Sequence, residues 1–485
     1  MSKELLDFKS KNLDKVGCGF CPAKWYNATI DLGSGYTRSC FLPLPHKIDI
    51  VEILKNPSAI HNTSHKKQMR KMMLSNIRPA ECSYCWKVED IGRDNISDRV
   101  YRSLEYKQED IDILSELPWD ADVNLRTVEL SFDRSCNFAC SYCNPAYSTT
   151  WGKDIETNGA YQYFKTATAG AYQSNGKWAD PISKDTDSNP YVNAFFEWWP
   201  ELSKDLQTLR ITGGEPSTSH NFWKFLDKIT DKPYPNLNIS INSNLGVKDE
   251  LITKLINTTH TLDVGSYDIY TSCEAYGNHA EYLRDGLIYD KWRANVVRII
   301  EEANIRQIVI MMTVTGLSLM SITEFMDDMI ELKKKYGKNK PILDLNFLRW
   351  PAFMSPLNLP NNIKIEVKNK INNWLENIKP LDILSEREID QIQRVIDYID
   401  VVEQGHARAE SDKNKHFHDF KSFYEQYDIR RNKNFRETFP MLVDWYDSLK
   451  VDYTIPIRQA SVGGMRGWET GEYPISPNKP PKKLI

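Results

Sequence analysis

The chain has 485 residues, with 62 Lys and Arg against 66 Asp and Glu and a formal net charge of −4. This length allows one domain of more than about 200 residues together with smaller ones. The acidic balance argues against a nucleic-acid surface of the usual basic kind, so nucleic acid is not an expected partner.

The start of the chain, MSKELLDFKSKN, lacks the apolar core of a signal peptide. The longest apolar run, IVIMMTV at 308–314, is too short to cross a bilayer. These features predict a soluble, cytoplasmic protein with no membrane partner. Eight of the nine cysteines precede residue 144. In a reducing compartment, clustered thiols favour metal binding over disulfides.

The N-terminal segment, predicted to span 1–115, holds five of these cysteines: Cys18, Cys21, Cys40, Cys82 and Cys85. CGFC at 18–21 and CSYC at 82–85 have the spacing of two zinc knuckles, which would leave Cys40 as a small core residue. No strand-helix-strand pattern surrounds CGFC, so a thioredoxin-like interpretation is disfavoured.

The middle of the chain, 116–355, alternates short β-rich runs with helical periodicity. The predicted strands are 127–133, 206–212, 237–242, 264–273, 307–315 and 342–348, and helices at 222–229, 292–303 and 321–337 lie between them. Repeated strand-helix alternation predicts an α/β domain with a parallel sheet, open or curled into part of a barrel. Its ligands are expected at the carboxyl ends of the strands.

Three cysteines follow the first predicted strand, in SCNFACSYCNP: Cys136, Cys140 and Cys143. Three thiolates on one loop can hold three corners of a 4Fe-4S cluster and leave the fourth iron open to a ligand. Three thiolates with a water molecule around zinc are the alternative.

A second motif, RITGGEPS, follows the second predicted strand. Gly213 and Gly214 would let the backbone come close to a ligand, since glycine has no side chain. The Glu215 carboxylate can accept a charge-assisted hydrogen bond from an ammonium group.

Long amphipathic helices follow from 356 to 485, for example at 389–404, and the polar tail SPNKPPKKLI is expected to be loose. This predicted helical extension would cover the mouth of the middle domain or bind a partner.

The CxxxCxxC and GGE motifs, on successive strands, resemble those of the radical S-adenosylmethionine (SAM) superfamily. The resemblance implies a partial (β/α)6 TIM-like barrel, a 4Fe-4S cluster and bound SAM. It also implies an external one-electron donor such as flavodoxin or ferredoxin, and a 5′-deoxyadenosyl radical that takes hydrogen from a peptide, protein or small-molecule substrate. A non-catalytic iron–sulfur or zinc protein on the same fold is the alternative.

The resemblance further implies the residues that bind SAM. Gly213, Gly214, Glu215 and Pro216 would receive the methionine amino group, and Tyr142 would lie by the adenine. Ser272 and Glu274 match positions that contact the ribose. Arg284 matches the arginine that pairs with the SAM carboxylate, unless it is a surface arginine. Asn242 and Asn244 match polar positions at the end of the third strand.

The N-terminal cysteine layout resembles the twitch domain, a shortened SPASM domain that binds an auxiliary 4Fe-4S cluster. The implied ligands are Cys21, Cys40, Cys82 and Cys85, with the zinc knuckles above as the alternative. Four thiolates would close this cluster, which suits electron transfer. An auxiliary cluster near the active site would favour oxidation of the substrate, and a distant one would favour epimerisation.

Cys273 lies at the end of the fourth predicted strand, outside both metal groups. A thiol can donate a hydrogen atom to a carbon radical, which is the step that an epimerase needs, so Cys273 is a candidate catalytic residue. If Ser272 and Glu274 face the ribose, strand alternation turns Cys273 to the opposite side, into packing. Packing is the favoured interpretation, because free cysteine is among the most buried residue types.

Overall fold

The computed structural model describes residues 2–92, 95–182, 188–399 and 407–455. Its strands are β1 Asn27–Asp31, β2 Tyr36–Arg38, β3 His46–Lys47, β4 Thr127–Ser131, β5 Ala139–Cys140, β6 Thr208–Thr212, β7 Tyr234–Asn242, β8 Val264–Ser272, β9 Arg284–Asp285, β10 Gln307–Val314 and β11 Ile342–Phe347.

The α-helices number from α1 to α19 in chain order. They are α1 Ser2–Phe8, α2 Ala23–Tyr26, α3 Ile50–Lys55, α4 Ser64–Leu74, α5 Ser83–Ile91, α6 Asp98–Ser103, α7 Gln108–Glu116, α8 Thr149–Asn158, α9 Pro190–Leu202, α10 His220–Lys228, α11 Asp249–Thr261, α12 Gly277–Leu283, α13 Tyr289–Glu302, α14 Ile322–Tyr336, α15 Asn361–Ile378, α16 Glu386–Ile399, α17 Ala407–Arg431, α18 Phe435–Thr438 and α19 Val443–Ser448.

The main sheet has nine strands in the order β11-β10-β8-β7-β6-β4-β1-β2-β3. All neighbours from β11 to β1 pair in parallel, and β2 and β3 continue the sheet antiparallel. The six strands predicted in the middle of the chain therefore lie side by side in chain order, which confirms the α/β class and the parallel sheet. Closure into a partial barrel stays a prediction.

The two faces of the parallel sheet differ in polarity because side chains alternate along each strand. One face is apolar and almost fully buried, with Val128, Leu130, Leu209, Ile211, Ile239, Ile241, Ile269, Ile310 and Leu343. The other, here called the polar face, carries half-buried side chains: Glu129, Arg210, Asn242, Tyr270, Ser272, Met311, Thr313 and Asp344. A polar and partly open sheet face is suited to a ligand chamber.

The N-terminal segment contributes three strands, β1, β2 and β3, to the main sheet, which its sequence did not predict. Residues 27–31 of β1 pair in parallel with residues 127–131 of β4, so the cysteine-rich segment is built onto the edge of the sheet. The segment also has a small apolar core of its own, which includes Leu13, Trp25, Met73 and Leu114. The predicted limits of the three domains stay predictions.

The C-terminal helices pack on the middle of the chain through aromatic side chains. Phe423 and Tyr427 of α17 contact Trp151, and Tyr427 donates a hydrogen bond of 3.0 Å to the Tyr282 carbonyl. The predicted helix at 389–404 begins earlier, as α16 at 386. Its last residues and the tail SPNKPPKKLI lie outside the described residues. In the described part of the chain, no helix combines the length and the apolar character needed to cross a membrane.

Candidate functional site

Three cysteine thiols lie together on the loop that leaves β4. Short β5 pairs antiparallel with β9, which places Cys140 opposite Arg284. Burial raises the pKa of the Cys136 thiol to about 12 and that of Cys140 to about 11. The pKa of Cys143 is also raised, by burial and then by the Cys140 and Cys136 thiols. The three predicted ligands are therefore neighbours in one half-buried site.

Two aromatic side chains that the sequence analysis did not single out hold this loop. Trp151 of α8 donates a 2.9 Å hydrogen bond from Nε1 to the Cys140 carbonyl, and the Tyr172 hydroxyl donates one of 2.8 Å to the Ser141 carbonyl. Both rings are buried against Phe423 of α17. The C-terminal helices thus support the cysteine loop from outside the sheet. The sequence analysis missed Trp151 and Tyr172 because they lie in a segment for which it predicted no strand or helix.

The two glycines of the GGE motif pack against the same loop. Gly213 has φ +124°, and a Cβ on it would lie 2.7 Å from the Asp133 carbonyl oxygen. A Cβ on Gly214 would lie 2.3 Å from the Ser135 carbonyl oxygen. The sequence predicted that these glycines let the backbone come close to a ligand, and this stays a prediction. In the described structure, the lack of a side chain leaves room for the backbone of the cysteine loop. Pro216, which follows Glu215 in the motif, begins a buried 3-10 turn.

The Glu215 carboxylate is buried and bonded within the protein. Oε1 accepts hydrogen bonds from the Ser217 amide at 3.2 Å, the Ser217 hydroxyl at 2.6 Å and the Ser243 hydroxyl at 2.9 Å. Oε2 accepts one from the Asn244 amide at 2.5 Å. Burial raises the pKa of Glu215, and these hydrogen bonds act against that rise. The carboxylate therefore ties the loop after β6 to the loop after β7.

Replacing Glu215 by glutamine should lower the free energy of unfolding by about 2 kcal/mol, because an amide cannot accept from all four donors and leaves buried N–H or O–H groups unpaired. Urea unfolding measures the change. Glu301→Gln is the matched control, since that carboxylate is exposed and should matter little. Unchanged stability combined with weaker SAM binding would instead assign the carboxylate to the ligand, as the sequence analysis expected.

A buried network joins three of the predicted SAM-binding residues to one another. The Tyr142 hydroxyl donates a 2.9 Å hydrogen bond to Glu274 Oε1, and Arg284 Nε donates one of 3.0 Å to Glu274 Oε2. Arg284 also lies over the Tyr142 ring, and its Nη1 is 3.8 Å from Cys140 Sγ. Arg284 is 5% exposed, so it is not a surface arginine. Contact of these residues with SAM stays a prediction.

The remaining predicted residues lie in two places. Asn242 and Ser272 are on the polar face, where Asn242 Oδ1 accepts a 3.3 Å hydrogen bond from Arg210 Nε. Asn244 Nδ2 donates to Asn137 Oδ1 of the cysteine loop at 2.9 Å. Cys273 is fully buried in the main core, and its Sγ lies 3.5 Å from the Ala275 carbonyl oxygen. Burial raises the pKa of the Cys273 thiol. This position agrees with the packing interpretation, and the role of hydrogen-atom donor stays untested.

A second group of four thiols lines one pocket: Cys21, Cys40, Cys82 and Cys85. Burial raises the pKa of Cys21 to about 12, and the Cys40, Cys82 and Cys85 thiols act in the same direction. The cations of Lys24, Arg99 and Arg102 line the same pocket. Cys18 is not in the lining; its Sγ bonds to the Asn76 carbonyl oxygen at 3.2 Å.

No family model matches the sequence, and no curated protein matches it. Two solved structures are partly similar. Streptococcus suis SuiB bound to S-adenosylmethionine has a TM-score of 0.34 and 13% identity over 63% of this chain and 62% of that chain. Streptococcus suis SuiB has a TM-score of 0.31 and 14% identity over 64% of this chain and 62% of that chain. The chain thus spans under two thirds of either length, and similarity this low carries no argument about function.

Proposed function

We propose that this chain is a radical SAM enzyme, which cleaves SAM reductively and takes a hydrogen atom from a peptide or small-molecule substrate. The observation that supports this best is the packing of the Gly213-Gly214 turn against the loop of Cys136, Cys140 and Cys143. Both motifs follow neighbouring parallel strands at the carboxyl edge of the sheet, beside the polar face.

The donor set on this loop fits a 4Fe-4S cluster, which thiolates bind. In the described residues, no three His, Cys, Asp or Glu side chains converge around the position of one metal ion. When bound, the cluster supplies the electron that cleaves SAM to a 5′-deoxyadenosyl radical.

The residues of the chain then have separate tasks. Cys136, Cys140 and Cys143 hold the cluster and leave one iron open to SAM. Asn242 and Ser272 bind SAM from the polar face. The network of Tyr142, Glu274 and Arg284 positions the loop, because it ends on the Cys140 sulfur. Trp151 and Tyr172 fix the loop backbone and exclude water from it.

The four-thiol pocket of Cys21, Cys40, Cys82 and Cys85 suits a second 4Fe-4S cluster, as in a twitch or SPASM-like domain. Arg102, which lines this pocket, also lowers the pKa of Glu129 on the polar face, against the upward effect of burial. Oxidation and epimerisation of the substrate stay alternatives. An external donor such as flavodoxin or ferredoxin would reduce the first cluster.

Single cysteine replacements distinguish the two alternative sets of metal ligands in the N-terminal segment, those of a 4Fe-4S cluster and those of zinc knuckles. Cys82→Ala should remove about four irons per chain, whereas Cys18→Ala should remove none, because Cys18 lies outside the pocket. Iron and zinc analysis of anaerobically reconstituted protein measures this. One bound zinc that both replacements remove would favour the zinc knuckles instead.

The proposed function is tested by adding SAM to iron-loaded, chemically reduced protein and measuring 5′-deoxyadenosine. We expect slow formation even without substrate. Iron-loaded protein that binds SAM but yields none under strong reductants would reject catalysis and leave a non-catalytic iron–sulfur protein.

A further inference from the structure

The polar face carries an arginine whose orientation is fixed by three neighbours. Arg210 lies in the middle of β6, and its Nε donates a 3.3 Å hydrogen bond to Asn242 Oδ1. Its Nη2 lies 3.3 Å from Met311 Sδ, and its guanidinium carbon lies 5.0 Å from the centre of the Tyr270 ring. These neighbours come from β7, β10 and β8, so the guanidinium group is held at the centre of the face.

This guanidinium group is only partly used by the protein. A guanidinium has five N–H donors, and the contacts with Asn242 and Met311 use two of them. The nearest carboxylate oxygen, on Glu129, is 3.9 Å from Arg210 Nε, which is too long for a hydrogen bond. The Arg210 side chain is 33% exposed. Fixed, partly exposed donors of this kind are suited to an oxygen anion.

The arginine side chains near Glu129 carry more positive charge than this one carboxylate balances. Burial raises the pKa of Glu129, and the guanidinium groups of Arg210, Arg38 and Arg102 lower it. Arg102 has an ion pair with Asp98 at 2.7 Å, so its charge is balanced locally. Arg38 makes no ion pair with any described residue, so Arg210 and Arg38 together exceed the single charge of Glu129.

We propose that Arg210 binds an anionic group of the substrate, a carboxylate or a phosphate, on the polar face. The inference rests on the proposed function only in calling the bound molecule a substrate. The planar guanidinium group, which lies over the Tyr270 ring, is suited to bidentate contact with two oxygens of the anion. Arg38 and Arg210 supply the charge that offsets desolvation of that anion.

Protection from an arginine reagent tests the site without iron or SAM. The full chain is treated with phenylglyoxal, alone and with phosphate or acetate, and labelling is read by peptide mass spectrometry. Labelling of Arg210 should slow about tenfold with at least one anion. Arg436, which is more exposed and pairs with Asp447 in the C-terminal helices, is the internal control and should be labelled equally with and without anion.

The two anions distinguish the two chemical sources. Protection by phosphate alone would assign a phosphorylated substrate, and protection by acetate would assign a carboxylate. S-adenosylhomocysteine is a third additive, because SAM itself carries a carboxylate. Protection by this analogue and by neither small anion would overturn the proposal, as would equal labelling of Arg210 under all conditions.

Two variants support the labelling result. The rise in melting temperature on adding the protecting anion should disappear in Arg210→Gln and persist in part in Arg210→Lys, which keeps the charge but loses the planar fork. An undiminished rise in folded Arg210→Gln would overturn the proposal. If that variant does not fold, labelling of the unsubstituted chain decides. These experiments on anion binding need neither iron nor SAM. Absence of an anion site would therefore leave the radical SAM proposal standing, and failure of the radical SAM proposal would leave the anion site standing.

Discussion

Iron-loaded protein in which Cys136, Cys140 and Cys143 are all replaced by alanine should form no 5′-deoxyadenosine and should retain about four of about eight irons. The three thiols share one loop, so removing them leaves the cluster site without any protein ligand. Iron analysis, the visible spectrum and product chromatography measure the result. This is the largest effect that we expect on activity.

Cys273→Ala is the matched control for this triple replacement, because it also removes a buried thiol but outside both metal groups. It should keep about eight irons and full SAM cleavage. A triple variant that keeps all its iron would show that the loop does not hold a cluster. SAM cleavage without inverted product in Cys273→Ala, measured with the substrate in deuterated water, would support the role of that thiol as hydrogen-atom donor.

Replacing Arg284 by methionine should lower the free energy of unfolding by about 3–5 kcal/mol, the largest effect that we expect on stability. In the unsubstituted chain, Arg284 Nε lies 3.0 Å from Glu274 Oε2. The change leaves this fully buried carboxylate without its cation. Denaturant unfolding of the full chain measures the difference. Methionine keeps much of the side-chain volume, so the loss reports mainly the charge.

Arg436→Met is the control for this prediction. It also breaks an arginine–carboxylate pair, with Asp447, but the two side chains are 49% and 46% exposed and water can replace the lost contact. The two variants should therefore differ clearly. If they lost equal stability, the network around Glu274 would not be the buried support of the cysteine loop that the geometry indicates.

The sequence predicted the middle of the fold well because its signals there are local. Each strand from β4 to β11 in the main sheet shows either period-two alternation or a short run of β-branched residues, and the predicted boundaries differ from the observed ones by at most a few residues. The cysteine and glycine motifs could also be placed, since each directly follows such a strand. Sequence reasoning succeeded where neighbours in space are neighbours in the chain.

Contacts between distant segments could not be predicted in this way. The strand NATID of β1 is short and only half apolar, and nothing in it indicates pairing with β4. Glu274 and Arg284 were both selected as ligand contacts, but a sequence does not reveal that two charged residues bond each other. Gly214 was predicted to let the backbone approach a ligand, which stays a prediction; its close packing on the Ser135 carbonyl could not be predicted, because a glycine has the same signature whether a cofactor or a backbone passes close to it.

The parallel pairing of β1 with β4 has a consequence for the order of folding. Asn27 pairs with Thr127, so the edge strand cannot dock until a long stretch of later chain has been synthesised and has closed a large loop, which slows folding. Cys21 and Cys40 flank β1, whereas Cys136, Cys140 and Cys143 lie within eight residues on one loop. The three loop thiols are therefore close to one another in the chain before the sheet forms, whereas the four N-terminal thiols, spread over residues 21–85, come together only when that segment folds. Iron added during refolding should reach the two groups at different times, with the N-terminal group second.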